Sequence, residues 1–221
     1  MGDFKDTLLI ANGNVPKSSF LMRYSRDFGH IVCCDGAVEK LIECGLSPDI
    51  VIGDMDSISE GAIEKLGDTL VKVGDQNSND LSKGLDWIER QGMKSVTILG
   101  ADGLREDHEL GNILMLLEST YNLEIRMETE YGRFDLMNQA TSVDGVQTRN
   151  FSCFPGQSVS IFAIDRELIL NSDGLEFSLR DFVFEKLNSA SLNRATGNNF
   201  TIKANHANSN ILVYRANEEN S

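Results

Sequence analysis

Apolar and polar positions repeat along the first two-thirds of the chain as a short apolar run, a stop, then apolar residues three and four apart. Thr7 to Ala11 is such a run, stopped by Asn12-Gly13-Asn14, and Ser18 to Phe28 then places Phe20, Leu21, Tyr24 and Phe28 at helical spacing. Ile31–Cys34, Ile50–Gly53, Thr69–Val73 and Val96–Leu99 repeat the apolar run. Helices are predicted over about Ala37–Cys44, Glu60–Leu66, Asp80–Arg90 and His108–Ser119, with Gly45, Gly67 and Gly92 as C-terminal stops. A further strand is expected at Leu123–Met127. Alternation of this kind predicts an α/β domain built on a doubly wound, mostly parallel sheet.

After about residue 140 the pattern changes. Short alternating stretches occur at Val146–Phe154, Ser158–Ile164, Leu175–Leu179, Phe200–Lys203 and Ile211–Arg215. Pro155-Gly156, Asp173-Gly174, Gly197-Asn198-Asn199 and Asn208–Asn210 separate them. Period-two runs between turn residues predict an all-β part, a small antiparallel β-sandwich or barrel. With the boundary at Asp144-Gly145, the expected domains are 1–144 (α/β) and 145–221 (β-sandwich).

Composition narrows the partners. At 221 residues and 41% hydrophobic the chain can bury a core or two. Twenty Lys and Arg against 34 Asp and Glu leave a formal charge of −14. That argues against a nucleic-acid partner, which needs a basic footprint, and against an anionic membrane surface. The longest apolar run, Ile113 to Leu117, is far short of the roughly 20 residues of a membrane span. The N-terminus shows no basic-then-apolar leader, and Asp6 stands where a myristoylation signal needs Ser or Thr. Cys33, Cys34, Cys44 and Cys153 have no C-x-x-C spacing, and His30, His108 and His206 are scattered, so zinc has little support. Reduced cysteines and a cytoplasmic location are expected.

The informative letters follow each strand. Ile31–Cys34 ends in Asp35-Gly36; Ile50–Ile52 ends in Gly53-Asp54-Met55-Asp56-Ser57; Thr69–Val73 runs into Gly74-Asp75-Gln76, with Asp80 opening the next helix. Val96–Leu99 runs into Gly100-Ala101-Asp102-Gly103-Leu104-Arg105-Glu106-Asp107-His108. In an open parallel sheet these points share the carboxyl edge, where ligands bind. Acids gathered there repel unless a cation or a shifted pKa offsets the charge. Magnesium is the natural cation, because it takes one or two carboxylates together with substrate phosphates, and Asp54-x-Asp56 suits it. Arg105 and Lys83 supply positive groups for phosphate oxygens, and glycines at 36, 53, 74, 100 and 103 admit close backbone approach. Singly, each has an ordinary reading as cap, turn or solvated charge. Recurrence after four strands points instead to metal-assisted transfer of a phosphorus group.

These residues resemble those of the thiamine pyrophosphokinase family. The matching pieces, in order, are Asp35-Gly36-Ala37, Pro48 to Ser57, Asp75 to Lys83, and Gly100 to His108 with Asn112 one turn on. The resemblance implies an α/β catalytic domain followed by a β-sandwich thiamine-binding domain. It implies Mg2+-dependent transfer of a diphosphate group from ATP to the hydroxyl of thiamine, with AMP leaving. Asp54, Asp56 and Asp80 would hold the metal, with Asp35 completing or orienting the shell, and Asp80 would receive the hydroxyl proton. Arg105 and Lys83 would stabilise phosphate oxygens, while Asp35, Gly36, Gly100, Asp107, His108 and Asn112 would shape the nucleotide end. Asp75, Gln76, Asp80, Ser191 and Asn193 would meet thiamine. A homodimer with the active site at the subunit cleft is also implied.

Two departures stand out. The family usually has Thr where Asn79 precedes Asp80, and its C-terminal Ser-Asn pair reads here as Ser191-Leu192-Asn193. The only tryptophan, Trp87, falls on a first-domain helix and reads as core. Two other readings stay open: a non-catalytic sensor of thiamine diphosphate or a nucleotide, and a magnesium-dependent phosphatase of the haloacid-dehalogenase type. The latter's motif wants Thr or Val where this chain has Ile58.

Overall fold

The structure, a computed structural model, describes residues 7–15, 21–22, 24–75 and 79–217. The chain forms two compact units: Met1–Asn112 with Met127–Thr129, and Ile113–Arg126 with Glu130–Ser221.

The first unit is built on five parallel strands: β1 (Thr7–Ile10), β2 (His30–Cys34), β3 (Ile50–Gly53), β4 (Leu70–Lys72) and β5 (Ser95–Leu99). Their order is β5-β1-β2-β3-β4. Leu8, Leu9 and Ile10 are all fully buried, as expected for a parallel strand covered on both faces. Between strands lie α1 (Val38–Glu43), α2 (Glu60–Leu66) and α3 (Asp80–Arg90), with α4 (Glu106–Glu118) after β5. Helix α3 buries Leu81, Leu85 and Ile88. Gly84 lies among them because a Cβ there would come within 2.8 Å of Leu9 Cδ1. Glycine costs about 1 kcal/mol in a helix interior, and the close approach to β1 offsets it.

The predicted strands and helices of this half correspond closely to β1–β5 and α1–α4. Gly45, Gly67 and Gly92 have φ of +76°, +49° and +77° where the helices were expected to stop. The predicted helix Ser18–Phe28 lies partly outside the described residues, and Ser25–Asp27 is a 3-10 turn. Trp87 is half-buried.

Strand β6 (Glu124–Glu128) straddles the division between the units. The second unit then forms β7 (Gly132–Met137), β8 (Thr148–Ser152), β9 (Ser158–Phe162), β10 (Ile169–Asp173), β11 (Phe182–Val183), β12 (Ala190–Arg194), β13 (Asn199–Ala204) and β14 (Ile211–Ala216). One antiparallel run is ordered β12-β9-β14-β7, and a separate sheet is ordered β11-β10-β13-β8. Phe151 and Phe200, paired in the β8–β13 register, stack with centroids 4.9 Å apart in the core.

The β half departs from expectation in detail. Leu175–Leu179 is no strand; only Leu175 bridges to Ala195. Strands β7, β10, β11 and β12 were not anticipated. In β7 the charged Asp135 masked the pattern. It is fully buried, held by Arg215, and flanked by Arg126 and Arg149 at 3.3 and 3.5 Å. All four cysteines are free. Among the described residues no helix is long and apolar enough to cross a membrane.

Candidate functional site

The order β5-β1-β2-β3-β4 reverses its winding direction beside β1, and ligands of such sheets bind outside the carboxyl ends of the strands at that point. A cleft of about 710 Å³ lies there. Ala11 to Gly13 after β1, Cys34 at the end of β2, and Asp54 after β3 line it. So do Asn79, Asp80 and Lys83 of α3, Gly100 to Arg105 in part, and Asp107, His108 and Asn112 of α4.

Asp35, Asp54 and Asp56 each offer a carboxylate oxygen, all within 4.8 Å of one another. Gly53 makes room for this: a Cβ there would fall 2.1 Å from Asp35 Cγ. Asp35 Oδ1 accepts from the Gly36 N–H at 2.7 Å and Oδ2 from the Met55 N–H at 3.0 Å. Met55, between Asp54 and Asp56, takes the left-handed conformation with φ of +70°, which costs a non-glycine residue about 1–2 kcal/mol. The turn is completed by the Asp56 N–H donating to Asp54 Oδ1 at 3.2 Å.

The acids are electrostatically unlike. Burial pushes the Asp35 carboxyl above the usual carboxylate range, with Asp80 and Asp54 adding to it and the Met55 and Gly36 N–H groups opposing it. Asp54 is held below that range, first by a hydrogen bond with the Asp56 side chain and then by the Asp56 N–H. Three converging carboxylates fit a hard divalent cation such as Mg2+, which takes oxygen ligands.

Asp80 lies outside this triad and bonds Lys83 Nζ at 2.9 Å. Lys83 is only 6% exposed, and its bond to Asp80 holds the ammonium above its ordinary pKa against the effect of burial. Arg105 forks onto Asp107 at 3.1 and 2.6 Å, both side chains about two-thirds exposed. Donating to the Asp107 carboxylate raises the pKa of Arg105, and accepting from Arg105 lowers that of Asp107. His108 is exposed, and its N–H donates to Asp107 Oδ1.

The loops after β1 and β5 dock backbone to backbone: Gly13 N–H to Gly100 O at 2.6 Å and Asn14 N–H to Asp102 O at 2.7 Å. Asn112 Nδ2 donates to Ala101 O at 2.8 Å. Asn79, read in the sequence only as a departure, caps α3 by accepting from Ser82 N–H at 2.8 Å. Asn12 was read only as a strand stop, yet it lines the cleft.

Of the residues expected at thiamine, Asp75 is exposed and Gln76 lies outside the described residues. Ser191 and Asn193 belong to the second unit. The Ser191 hydroxyl donates to Asn188 O at 2.8 Å. Asn193 is 3% exposed; it accepts from Phe177 N–H at 3.1 Å and donates to Phe177 O at 2.7 Å.

Residues 22–128 match the family model described as thiamin pyrophosphokinase, catalytic domain, and residues 143–214 the model of its substrate-binding domain. The chain belongs to the thiamin pyrophosphokinase family. The thiamine pyrophosphokinase of Bacillus subtilis (strain 168) is 35% identical over 98 residues, 42% of this chain and 46% of that one. Thiamine pyrophosphokinase 1 of Oryza sativa subsp. japonica is 33% identical over 110 residues, 38% of this chain and 42% of that one. The chain thus matches less than half the length of these curated relatives. Among solved structures, the family member from Bacillus subtilis has a TM-score of 0.75 at 21% identity, over 96% of this chain and 100% of that one. The one from Candida albicans has 0.77 at 19%, over 96% and 90%. At these identities the likeness is one of fold.

Proposed function

We propose that the chain is a thiamine diphosphokinase, transferring a diphosphate group from ATP to the hydroxyl of thiamine and releasing AMP. The observation that carries this reading is the convergence of Asp35, Asp54 and Asp56 within 4.8 Å beside the cleft. Asp54, Asp56 and Asp80 would hold Mg2+, with Asp35 completing or orienting the shell. When bound it neutralises phosphate charge at the reacting phosphorus.

The chain's own groups do the rest. Asp80, steadied by Lys83, accepts the hydroxyl proton. Lys83 and Arg105 bind phosphate oxygens, Arg105 exchanging its Asp107 partner for the nucleotide. Gly36, Gly100, Asp107, His108 and Asn112 shape the nucleotide end. Asp75, Gln76, Ser191 and Asn193 would bind thiamine, whose fixed positive charge suits an acidic protein. The division of labour falls near Asp144-Gly145, the enzyme works as a homodimer with its site at the subunit cleft, and it resides in the cytoplasm.

Product analysis with ATP, Mg2+ and thiamine tests the reading. AMP with thiamine diphosphate supports it. ADP as the product would indicate single phosphoryl transfer, free phosphate a phosphatase, and tight binding without turnover a sensor.

A further inference from the structure

The Asn12–Gly13 turn forms part of the cleft wall, and its oxygens are gathered by one cation from behind. Lys40 Nζ lies 3.2 Å from Asn12 O, 3.0 Å from Asn12 Oδ1 and 3.3 Å from Gly13 O. An ammonium has three N–H donors, and here three acceptors of one turn surround it. Asn12 and Gly13 line the cleft while Lys40 does not, so the ammonium holds these oxygens from outside the lining. Gly36 completes the clasp: a Cβ on it would meet Asn12 Nδ2 at 2.3 Å, so the Asn12 amide lies flat against the turn that follows Asp35. The neighbouring Glu39 accepts from Ser59 N–H at 3.3 Å, so α1 grips the loops after both β1 and β3.

We propose that Lys40 is a positioning residue for the nucleotide, an inference resting on the reading of this cleft as the ATP site. Released from Lys40, the Asn12 side-chain oxygen would be free to turn toward a polyanion and oppose it, whereas the backbone of the turn stays pinned by Gly13 N–H on Gly100 O, Asn14 N–H on Asp102 O and Val15 N–H on Gly13 O. Held by Lys40, the Asn12 amide keeps its oxygen away, and the Gly13 backbone is a fixed floor. The loss on removing Lys40 therefore falls on nucleotide binding, not on the chemical step.

The experiment is steady-state kinetics of the full chain with Mg2+-ATP and thiamine, alongside calorimetric titration of Mg2+-ATP. In Lys40→Met, KM and Kd for ATP rise about tenfold, the scale of losing a charge-assisted contact. The value of kcat stays within about twofold, and KM for thiamine is unchanged. Lys40→Arg recovers part of the loss, since its planar fork reaches some of the three acceptors. If Lys40→Met does not fold, Lys40→Gln, whose side-chain amide keeps two N–H donors without the charge, raises KM for ATP about threefold. Wild-type turnover with unchanged ATP affinity in these variants, or a fall confined to kcat, overturns the inference alone. A wild-type chain that neither binds nor uses ATP overturns the reading of the cleft and this inference with it.

Discussion

Asn79 donates its side-chain amide to Asn112 Oδ1 at 3.1 Å, while its own Oδ1 caps helix α3 on Ser82. Asn112 passes the link to Ala101 O, so the start of α3, the body of α4 and the loop after β5 share one chain of amides. The family's usual Thr would have to cap and donate from one hydroxyl oxygen, whereas the Asn79 amide splits the two bonds between Oδ1 and Nδ2. Asn79→Ala is expected to cost about 1–2 kcal/mol in urea unfolding, a lost cap plus a lost exposed hydrogen bond. Asn79→Ser, which keeps the cap, should recover most of it. Equal losses in the two variants would show that the cap carries none of the effect.

Gly53 is required by its neighbour, not by its own backbone. Adding a Cβ 2.1 Å from Asp35 Cγ forces the carboxyl away from the Gly36 and Met55 N–H groups. Gly53→Ala should destabilise the fold by about 1–3 kcal/mol, as overpacking does. On the proposed reading Mg2+ raises the melting temperature of the wild type, and Gly53→Ala should abolish that shift. A retained shift would place the ion elsewhere.

The α/β half was legible in its local letters. Glu60–Leu66 and Asp80–Arg90 formed as read, because glycines at 67 and 92 stop them in positive-φ conformations and an Asn caps the second. The acids after the strands were visible for the same reason. What was not legible is long-range. Asp35 joins Asp54 and Asp56 across about 20 residues, whereas Asp80, grouped with them by motif, is paired one helical turn on with Lys83. Lys40 meets partners 28 residues earlier, on a helix too short to show a pattern. In β7 a buried Asp135 looked like a solvated charge because its arginine partners come from three other strands.

Asp56 is exposed and its neighbours are Asp54 and Ser57, so it contributes little to the core, and on the proposed reading its carboxylate holds metal. Asp56→Asn should lower turnover by at least about a hundredfold, since transition-state charge is no longer neutralised as well. Its urea stability should stay within about 0.5 kcal/mol of wild type. Turnover at the wild-type rate would remove Asp56 from the mechanism.

Acid stability should turn on Asp135. Burial alone would push its carboxyl up, but Arg215, then Arg133 and Arg149, hold it below the ordinary carboxylate range. A carboxyl whose folded pKa is depressed adds stability above its unfolded value of about 3.9 and loses it as pH falls through the folded value. Urea midpoints should therefore be steady above about pH 5 on this account and drop below about pH 4. Asp135→Asn should flatten that acid limb while costing about 3–5 kcal/mol at neutral pH, because Arg215, 4% exposed, is left without its counter-charge. If Asp135→Asn kept the same acid limb as wild type, other carboxylates would be setting it.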